Sequence, residues 1–166
     1  MPQPSWKVNE TFYSIQGEGR HTGMPAVFLR LSGCSMNCSF CDTKYAFGAG
    51  KEMGAEALLN DLAQYPVKTV IITGGEPTEQ DLPALIALLK KHGYTVHLET
   101  NGARDCNVSQ ADFVCVSPKK YVSPEMLKKA DIIKIVVGQD TDLTDLKKYY
   151  AYENDHTHIY LQPESN

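Results

Sequence analysis

The sequence lacks the features of a membrane protein or a nucleic-acid-binding protein. No apolar run approaches the roughly 20 residues that a membrane-spanning helix needs, and the first residues, Met1–Lys7, contain no apolar signal-peptide core. Basic residues are not in excess, since the formal net charge is −4 and no run of basic residues is longer than two lysines, as at Lys119–Lys120. We therefore expect no nucleic-acid partner and no membrane partner, and we expect the protein in the cytoplasm.

The chain also lacks internal repeats and low-complexity linkers, and its 166 residues suffice for one domain with a hydrophobic core. Cysteine is the informative residue type. There are five cysteines, an odd number, and three of them, Cys34, Cys38 and Cys41, lie within eight residues. In a reducing compartment, such a cluster indicates metal binding more than disulfide formation.

A strand followed by a helix recurs along the chain. Continuous apolar runs predict strands, and helical spacing of apolar residues predicts helices. The predicted strands are 26–31, 67–73, 94–98, 113–116, 131–137 and 158–161, and the predicted helices are 55–65, 82–92, 124–129 and 143–152. Because parallel neighbours need a crossover connection, this alternation predicts an α/β fold, an open partial parallel β/α barrel of about six strands.

Polar and glycine-rich segments follow successive predicted strands. They are residues 34–43, 74–77, 99–102, 117–119 and 162–165. In parallel α/β sheets, ligands bind at the carboxyl ends of the strands. The sequence therefore predicts one site that is built from all of these segments.

The cysteine spacing suits a small inorganic core. Iron–sulfur clusters take cysteine thiolates, four for a fully ligated cubane, so three ligands would leave one iron open to an exogenous donor. The alternative is a zinc site, which prefers four tetrahedral ligands. The nearest histidines that could supply the fourth ligand are His21 and His92, and Cys106 and Cys115 are candidates too. Because these two cysteines lie on other strand–helix units, we expect them to be ordinary semi-buried thiols.

The cysteine loop, Cys34-Ser35-Met36-Asn37-Cys38-Ser39-Phe40-Cys41, resembles the cysteine motif of the radical S-adenosylmethionine (SAM) superfamily. Thr73-Gly74-Gly75-Glu76-Pro77 and Glu99-Thr100-Asn101-Gly102 resemble two further elements of the superfamily's SAM site. The resemblance implies a single radical SAM domain over residues 1–166, with a 4Fe-4S cluster on the three cysteines. It implies no catalytic side chain, because SAM and the cluster supply the radical.

A more specific resemblance, to the 7-carboxy-7-deazaguanine synthase family, extends along nearly the whole chain. It rests on residues 14–19, 28–34, 41–43, 72–77, 117–119, 133–138 and 161–163. The most specific elements are Gln16-Gly17-Glu18-Gly19 and Cys41-Asp42-Thr43. The resemblance implies that 6-carboxy-5,6,7,8-tetrahydropterin is rearranged to 7-carboxy-7-deazaguanine with loss of ammonia, in 7-deazapurine (queuosine-type) biosynthesis.

The same resemblance implies the residues of the site. Those that contact SAM are Phe40, Cys41, Asp42, Gly74, Gly75, Glu76, Glu99, Ser117, Pro118, Lys119 and Gln162. Those that contact the substrate are Ile15, Gln16, Gly17, Glu18, Arg30 and Thr73. Thr43 is the implied protein ligand of a Mg²⁺ ion that coordinates the substrate carboxylate.

Three of the substrate residues also have suitable chemistry. Gln16 and Glu18 match the donor and acceptor edge of a pterin-like ring, and Arg30 matches a carboxylate. Arg30 lies in a predicted strand that is otherwise apolar, where an arginine is costly unless it is paired.

Two alternative functions would place the chain in other classes of protein. A radical-generating activase, such as the small activating enzyme of anaerobic ribonucleotide reductase, typically carries histidine-asparagine after the last cysteine, where this chain has Asp42-Thr43. A non-enzymatic zinc or iron–sulfur module would leave the Gly-Gly-Glu-Pro element without a role.

The resemblance has further implications for length and partners. Family members usually continue beyond Leu161-Gln162-Pro163 with segments that close the substrate site, so we expect a C-terminal part of the usual length to be missing. Expected partners are the pterin substrate, an electron donor such as flavodoxin or ferredoxin, and a second copy of the chain in a homodimer.

Overall fold

A computed structural model describes residues 4–48, 50–139 and 141–164. The strands in these ranges are β1 (Ser5–Ile15), β2 (Pro25–Leu31), β3 (Lys51–Gly54), β4 (Thr69–Gly74), β5 (Thr95–Thr100), β6 (Phe113–Val116), β7 (Ile132–Val137) and β8 (His158–Pro163). The α-helices are α1 (Ala55–Ala63), α2 (Leu82–Lys91), α3 (Pro124–Lys128) and α4 (Lys147–Tyr150). No helix in the described ranges is long and apolar enough to cross a membrane.

The strands form one open sheet in the order β3-β1-β2-β4-β5-β6-β7-β8. The six strands from β2 to β8 in this order are parallel, and helices connect most of them. The predicted open parallel β/α architecture is therefore confirmed. The predicted number of strands was too low, because β1 and β3 add an antiparallel extension beside β2.

The first strand was missed because its sequence carries no continuous apolar run. Only Trp6 and Val8 of β1 are buried, and the remaining residues are half-buried or exposed. The strand pairs with β2 from Val8 to Ile15, and its register shifts between Val8 and Glu10. An antiparallel strand with one face toward solvent alternates in polarity, which a search for apolar runs does not detect.

The hydrophobic core lies between one face of the sheet and the helices. Alternate strand residues point into it, as Val70 and Ile72 of β4 and Val96 and Leu98 of β5 do. The residues between them face the other side, here called the inner face of the sheet. Because side chains alternate along a strand, each parallel strand supplies both the core and the inner face.

Helix α2 begins and ends as its sequence predicts. The Asp81 carboxylate accepts a hydrogen bond from the backbone N–H of Ala84 and so caps the helix. Gly93 adopts a φ of 77° directly after the helix, a conformation that favours glycine. The Trp6 indole donates to the Asp81 carbonyl oxygen at 2.8 Å and thereby ties β1 to the start of this helix.

Candidate active site

A cavity of about 480 Å³ opens on the inner face at the carboxyl ends of the parallel strands. All of the predicted site residues except Ile15 and Pro118 line it. Ile15 ends β1 with 61% of its surface exposed, and Pro118 is buried. The predicted convergence of the segments that follow the strands is confirmed for the described residues, because the parallel topology brings strand ends together at one edge. Ser165 of the last segment lies outside them.

Backbone contacts hold the cysteine loop against the end of β4. The loop begins at Gly33, whose carbonyl oxygen accepts a hydrogen bond from the N–H of Glu76 at 2.7 Å. The N–H of Gly75 donates to the Leu31 carbonyl oxygen at 2.9 Å. Further along the loop, the Ser35 backbone N–H and hydroxyl both donate to the Glu79 carboxylate. The segments that carry the cysteine motif and the Gly-Gly-Glu-Pro motif are thus in direct contact.

Gly74 and Gly75 serve this contact between segments. A Cβ atom on Gly75 would lie 1.9 Å from the Gly33 carbonyl oxygen, and one on Gly74 would lie 2.2 Å from the Leu31 carbonyl oxygen. Both distances are far below any tolerable contact. The absence of side chains at these positions is therefore needed for the close approach of the cysteine loop to β4.

The three loop cysteines are partly buried and line the cavity. Burial raises the pKa of the Cys34 thiol, and the nearby carboxylates of Glu79 and Glu76 act in the same direction. A cationic metal core would favour the thiolate instead. Within the described ranges, no three histidine, cysteine or acidic side chains are gathered closely enough to hold a metal ion, so the thiols border the cavity without meeting at one point.

The Glu76 carboxylate is almost completely buried, with 1% of the residue exposed. Its Oε1 accepts hydrogen bonds from the Thr78 N–H and from the hydroxyls of Thr78 and Thr100, and its Oε2 accepts from the Asn101 N–H at 2.7 Å. Glu76 therefore joins the ends of β4 and β5. The implied contact of Glu76 with SAM would have to share the carboxylate with these protein donors.

A second buried network crosses the inner face. The Lys134 ammonium donates to Glu99 Oε2 at 2.8 Å and to Glu18 Oε2 at 2.5 Å. Gln16 Nε2 donates to Glu99 Oε1 at 3.2 Å, and Gln16 Oε1 accepts from the Glu18 N–H at 3.1 Å. The structure thus connects predicted substrate residues with Glu99, which was predicted for the SAM site.

Lys134 was not among the predicted site residues. A lysine inside the apolar strand Ile132–Val137 is the same signal that singled out Arg30. Burial acts to lower the pKa of Lys134, but the adjacent carboxylates of Glu99 and Glu18 outweigh it and hold the pKa above its ordinary value. Lys134 is therefore a buried cation at working pH.

Arg30 is paired, as its position requires. Its Nε donates to Glu10 Oε1 at 2.8 Å, and the Tyr45 hydroxyl donates to the same oxygen at 2.9 Å. The guanidinium also lies over the rings of Phe12 and Tyr45, with 5.6 Å from its carbon to each ring centroid. Glu10 and Tyr45 were missed because their proximity to Arg30 depends on the antiparallel pairing of β1 with β2 and on the loop after β2.

Lys119 and Phe40 are neighbours on the cavity wall. The Lys119 ammonium lies 5.5 Å from the Phe40 ring centroid and donates to the Ser117 hydroxyl at 2.7 Å. Burial lowers the pKa of Lys119, and the charge of Lys134 lowers it further. A cation in this position favours an anionic group of a bound ligand.

Thr43 and Asp42 follow the last cysteine and line the cavity. The Thr43 hydroxyl donates to Asp42 Oδ1 at 2.7 Å. Hydroxyl and carboxylate oxygens are hard ligands of the type that Mg²⁺ takes.

The fold and the cysteine-lined cavity define the class of protein: the chain is a radical SAM enzyme, and the model of the Radical SAM superfamily matches residues 29–159. Membership of this superfamily implies a 4Fe-4S cluster and SAM. A solved structure of TYW1 with a lysine–pyruvate adduct shares the fold with a TM-score of 0.64 at 17% identity, over 85% of this chain and 65% of that chain.

Relatives with higher identity define the family within this class. The 7-carboxy-7-deazaguanine synthase of Bacteroides thetaiotaomicron is 42% identical over 95% of this chain and 81% of its own length. The enzyme of that name from Escherichia coli K12 is 34% identical over 96% of this chain and 85% of its own length. The crystal structure of QueE from Escherichia coli matches with a TM-score of 0.86 at 33% identity, over 96% of this chain and 83% of that chain. The chain belongs to the 7-carboxy-7-deazaguanine synthase family.

Proposed function

We propose that this protein converts 6-carboxy-5,6,7,8-tetrahydropterin into 7-carboxy-7-deazaguanine and one molecule of ammonia. The observation that carries the proposal is that one cavity is lined both by the three loop cysteines and by Gln16, Glu18 and Arg30. Its volume of about 480 Å³ is within the range of small-molecule sites. The names of the family members agree with this reaction.

Cys34, Cys38 and Cys41 would hold the cluster. The donor set fits, because three thiols of one loop border the same cavity, whereas Cys106 packs against the helix-side core and Cys115 is buried with Phe113 and Ile132. The thiols would have to draw together on binding. When bound, the cluster and SAM supply a hydrogen-abstracting radical at the adenosyl carbon.

The SAM side of the cavity is proposed at the cysteine loop and the ends of β4, β6 and β8. Lys119 would meet the SAM carboxylate, since its ammonium faces the cavity and has only a hydroxyl as partner among the hydrogen bonds of the described residues. Phe40 lies beside it and would pack against the adenine. The full proposed set is Phe40, Cys41, Asp42, Gly74, Gly75, Glu76, Glu99, Ser117, Pro118, Lys119 and Gln162.

The substrate side is proposed at Ile15, Gln16, Gly17, Glu18, Arg30 and Thr73. Glu10 uses the Nε of Arg30, which leaves the terminal guanidinium nitrogens available for the pterin carboxylate. The ring of Tyr45 lies over the guanidinium and would cover one side of that contact. Gln16 and Glu18 supply the donor and acceptor groups for the ring.

A Mg²⁺ ion at Thr43 would coordinate the substrate carboxylate. Magnesium commonly takes few protein ligands and completes its octahedral shell with substrate and water oxygens. The Thr43 hydroxyl and the Asp42 carboxylate on the cavity wall suit this mode of binding.

Three further proposals concern the environment of the enzyme. The cluster requires a one-electron donor such as flavodoxin or ferredoxin. Five free cysteines suit the reducing cytoplasm. A homodimer would cover exposed apolar side chains such as Leu161 of the edge strand β8, which is 53% exposed.

The reaction is tested by anaerobic reconstitution with iron and sulfide, followed by incubation with the pterin, SAM, Mg²⁺ and a reductant. We expect 7-carboxy-7-deazaguanine and ammonia in equal amounts, with SAM regenerated after each turnover. Mass spectrometry of the products and an ammonia assay measure both. SAM cleavage without any pterin product, in a protein with a full cluster, would contradict the proposal.

A further inference from the structure

Lys134 lies on β7, on the inner face of the sheet. Only 9% of the residue is exposed, and it projects from β7 between carboxylates that arrive from distant parts of the chain. Glu18 follows β1, and Glu99 belongs to β5. All three residues line the cavity. The ion pairs therefore lie where a ligand would meet them, and they are not confined to the packed interior.

Few charged or titratable groups lie near Lys134. Its ammonium contacts Glu18 and Glu99, Lys119 is the other nearby cation, and Cys115 is a neighbour whose burial raises the pKa of its thiol well above the ordinary value. At neutral pH, Cys115 is thus uncharged. Lys134 accordingly stands between two carboxylates with its one positive charge.

We infer that Lys134 is a positioning residue of the substrate site, which holds the carboxylates of Glu18 and Glu99 ionised and fixed as a pair of hydrogen-bond acceptors. This inference rests on the proposed function. The aminopyrimidinone ring of a pterin is rich in N–H donors, and ionised carboxylates accept hydrogen bonds but do not donate them. The Gln16 amide ties the two glutamates together as well, because its Nε2 donates to Glu99 Oε1 and its Oε1 accepts a hydrogen bond from the Glu18 N–H.

The lysine is needed because of the distance between the carboxylates. Both accepting oxygens touch one ammonium nitrogen, so they are at most about 5 Å apart, and two unscreened negative charges at this separation repel strongly. Without the ammonium, the pair is expected to share a proton near neutral pH. The shared proton lies between the two carboxyl groups and removes one of their two negative charges, so the pair becomes a weaker acceptor for the ring N–H groups.

The test compares Lys134→Met, which removes the charge, with Lys134→Arg, which keeps it. The control is Lys90→Met, which removes the lysine of a surface pair with Asp112. Two measurements are made between pH 5.5 and 7.5: binding of fluorescent 6-carboxypterin, the oxidised form of the substrate, and thermal unfolding. SAM binding to the reconstituted proteins is measured alongside.

We expect Lys134→Met to bind the pterin about 10- to 100-fold more weakly at pH 6, since an acceptor is lost in a buried site. The deficit should shrink as the pH rises, because the shared proton is released. SAM binding should fall less than pterin binding, because Glu99 is only one of the residues proposed for SAM. Lys134→Arg should recover part of the pterin affinity, and Lys90→Met should match the wild type at every pH.

Unfolding supplies a measurement that needs no ligand. In Lys134→Met, the folded pair holds a proton that the unfolded chain has released, so stability relative to the wild type should fall as the pH rises from 5.5 to 7.5. In the wild type, the raised pKa of Lys134 keeps its charge throughout this range.

Several results would overturn the inference. One is pterin binding by Lys134→Met equal to that of the wild type; another is equal loss of pterin, SAM and cluster without recovery in Lys134→Arg, which indicates a purely structural lysine. If wild-type protein fails to bind the pterin, the proposed function fails. The pH slope of unfolding then still decides whether Lys134 holds the two carboxylates ionised, and its absence rejects that role.

Discussion

Substitution of Gly75 by alanine tests how the cysteine loop is held in place. The added Cβ would lie 1.9 Å from the Gly33 carbonyl oxygen and 2.5 Å from its carbonyl carbon. Both are backbone atoms, so no side-chain rotation can relieve the contact. Gly75 is not among the glycines with positive φ, and the effect of the substitution is therefore one of space alone.

The expected loss of stability can be worked out from the same contacts. Normal van der Waals separation requires the two segments to move apart by about 1.5 Å, which breaks the hydrogen bonds from the Glu76 N–H to Gly33 and from the Gly75 N–H to Leu31. Overpacking costs about 1–3 kcal/mol, and each lost buried hydrogen bond about 1 kcal/mol. The free energy of unfolding should therefore fall by about 3–5 kcal/mol, which lowers Tm by roughly 6–20 °C in a domain of this size.

Two measurements check this prediction: chemical or thermal unfolding, and the iron content after anaerobic reconstitution. The matched control is Gly54→Ala, because a Cβ atom on Gly54 meets nothing within 4 Å. Gly54 precedes α1, so the control should lose less than about 1 kcal/mol through a poorer helix cap. Gly75→Ala should lose iron as well as stability, since Gly33 adjoins Cys34. Equal stability and equal iron content in the two variants would refute the reasoning.

Four further outcomes are expected. Cys41→Ala should abolish the visible absorbance of the reconstituted cluster, whereas Cys106→Ala should retain it; stoichiometric zinc without iron in the wild type would contradict the cluster assignment. Thr43→Ala should raise the Mg²⁺ concentration for half-maximal product formation roughly tenfold without changing SAM cleavage, and superimposable magnesium curves would remove Thr43 from the metal site. Arg30→Lys should lose pterin turnover but still bind SAM, because lysine cannot reproduce the guanidinium fork; unchanged pterin binding in the folded variant would reject this role. Burial, followed by the charge of a neighbouring histidine, lowers the pKa of His97 from 6.5 to about 4. The unfolded chain therefore takes up a proton first, and stability should fall by roughly 1–3 kcal/mol as the pH drops through this window; denaturation curves of His97→Phe should show a smaller decline, and an identical decline would exclude His97 as its source.

Much of the fold follows from local sequence patterns. The six parallel strands are short apolar runs, and α2 has helical apolar spacing, an Asp81 cap and a Gly93 stop. These signals depend on neighbours within a few residues, so they can be identified without the tertiary structure. β1 escaped detection because its burial depends on pairing with β2 and on packing against α2, and its own residues are mostly polar.

In the cavity, too, some features follow from local sequence patterns and others from the fold. The segments that meet could be inferred from local patterns, because polar residues follow each parallel strand and the topology carries those ends to one edge. The sequence also identified the three cysteines, whose spacing within one loop is a local property.

The pairing of side chains within the cavity depends on the tertiary structure. Glu18 and Lys134 are 116 residues apart in the chain and share a hydrogen bond. Gly75 proved to be a point of contact between two backbone segments, and Glu76 a connector of β4 and β5. A charged side chain in an apolar strand must be paired with another group, and a small residue there leaves space that another group occupies. The partner that compensates is determined by strand register and packing, which place residues that are far apart in sequence within a few ångströms of each other.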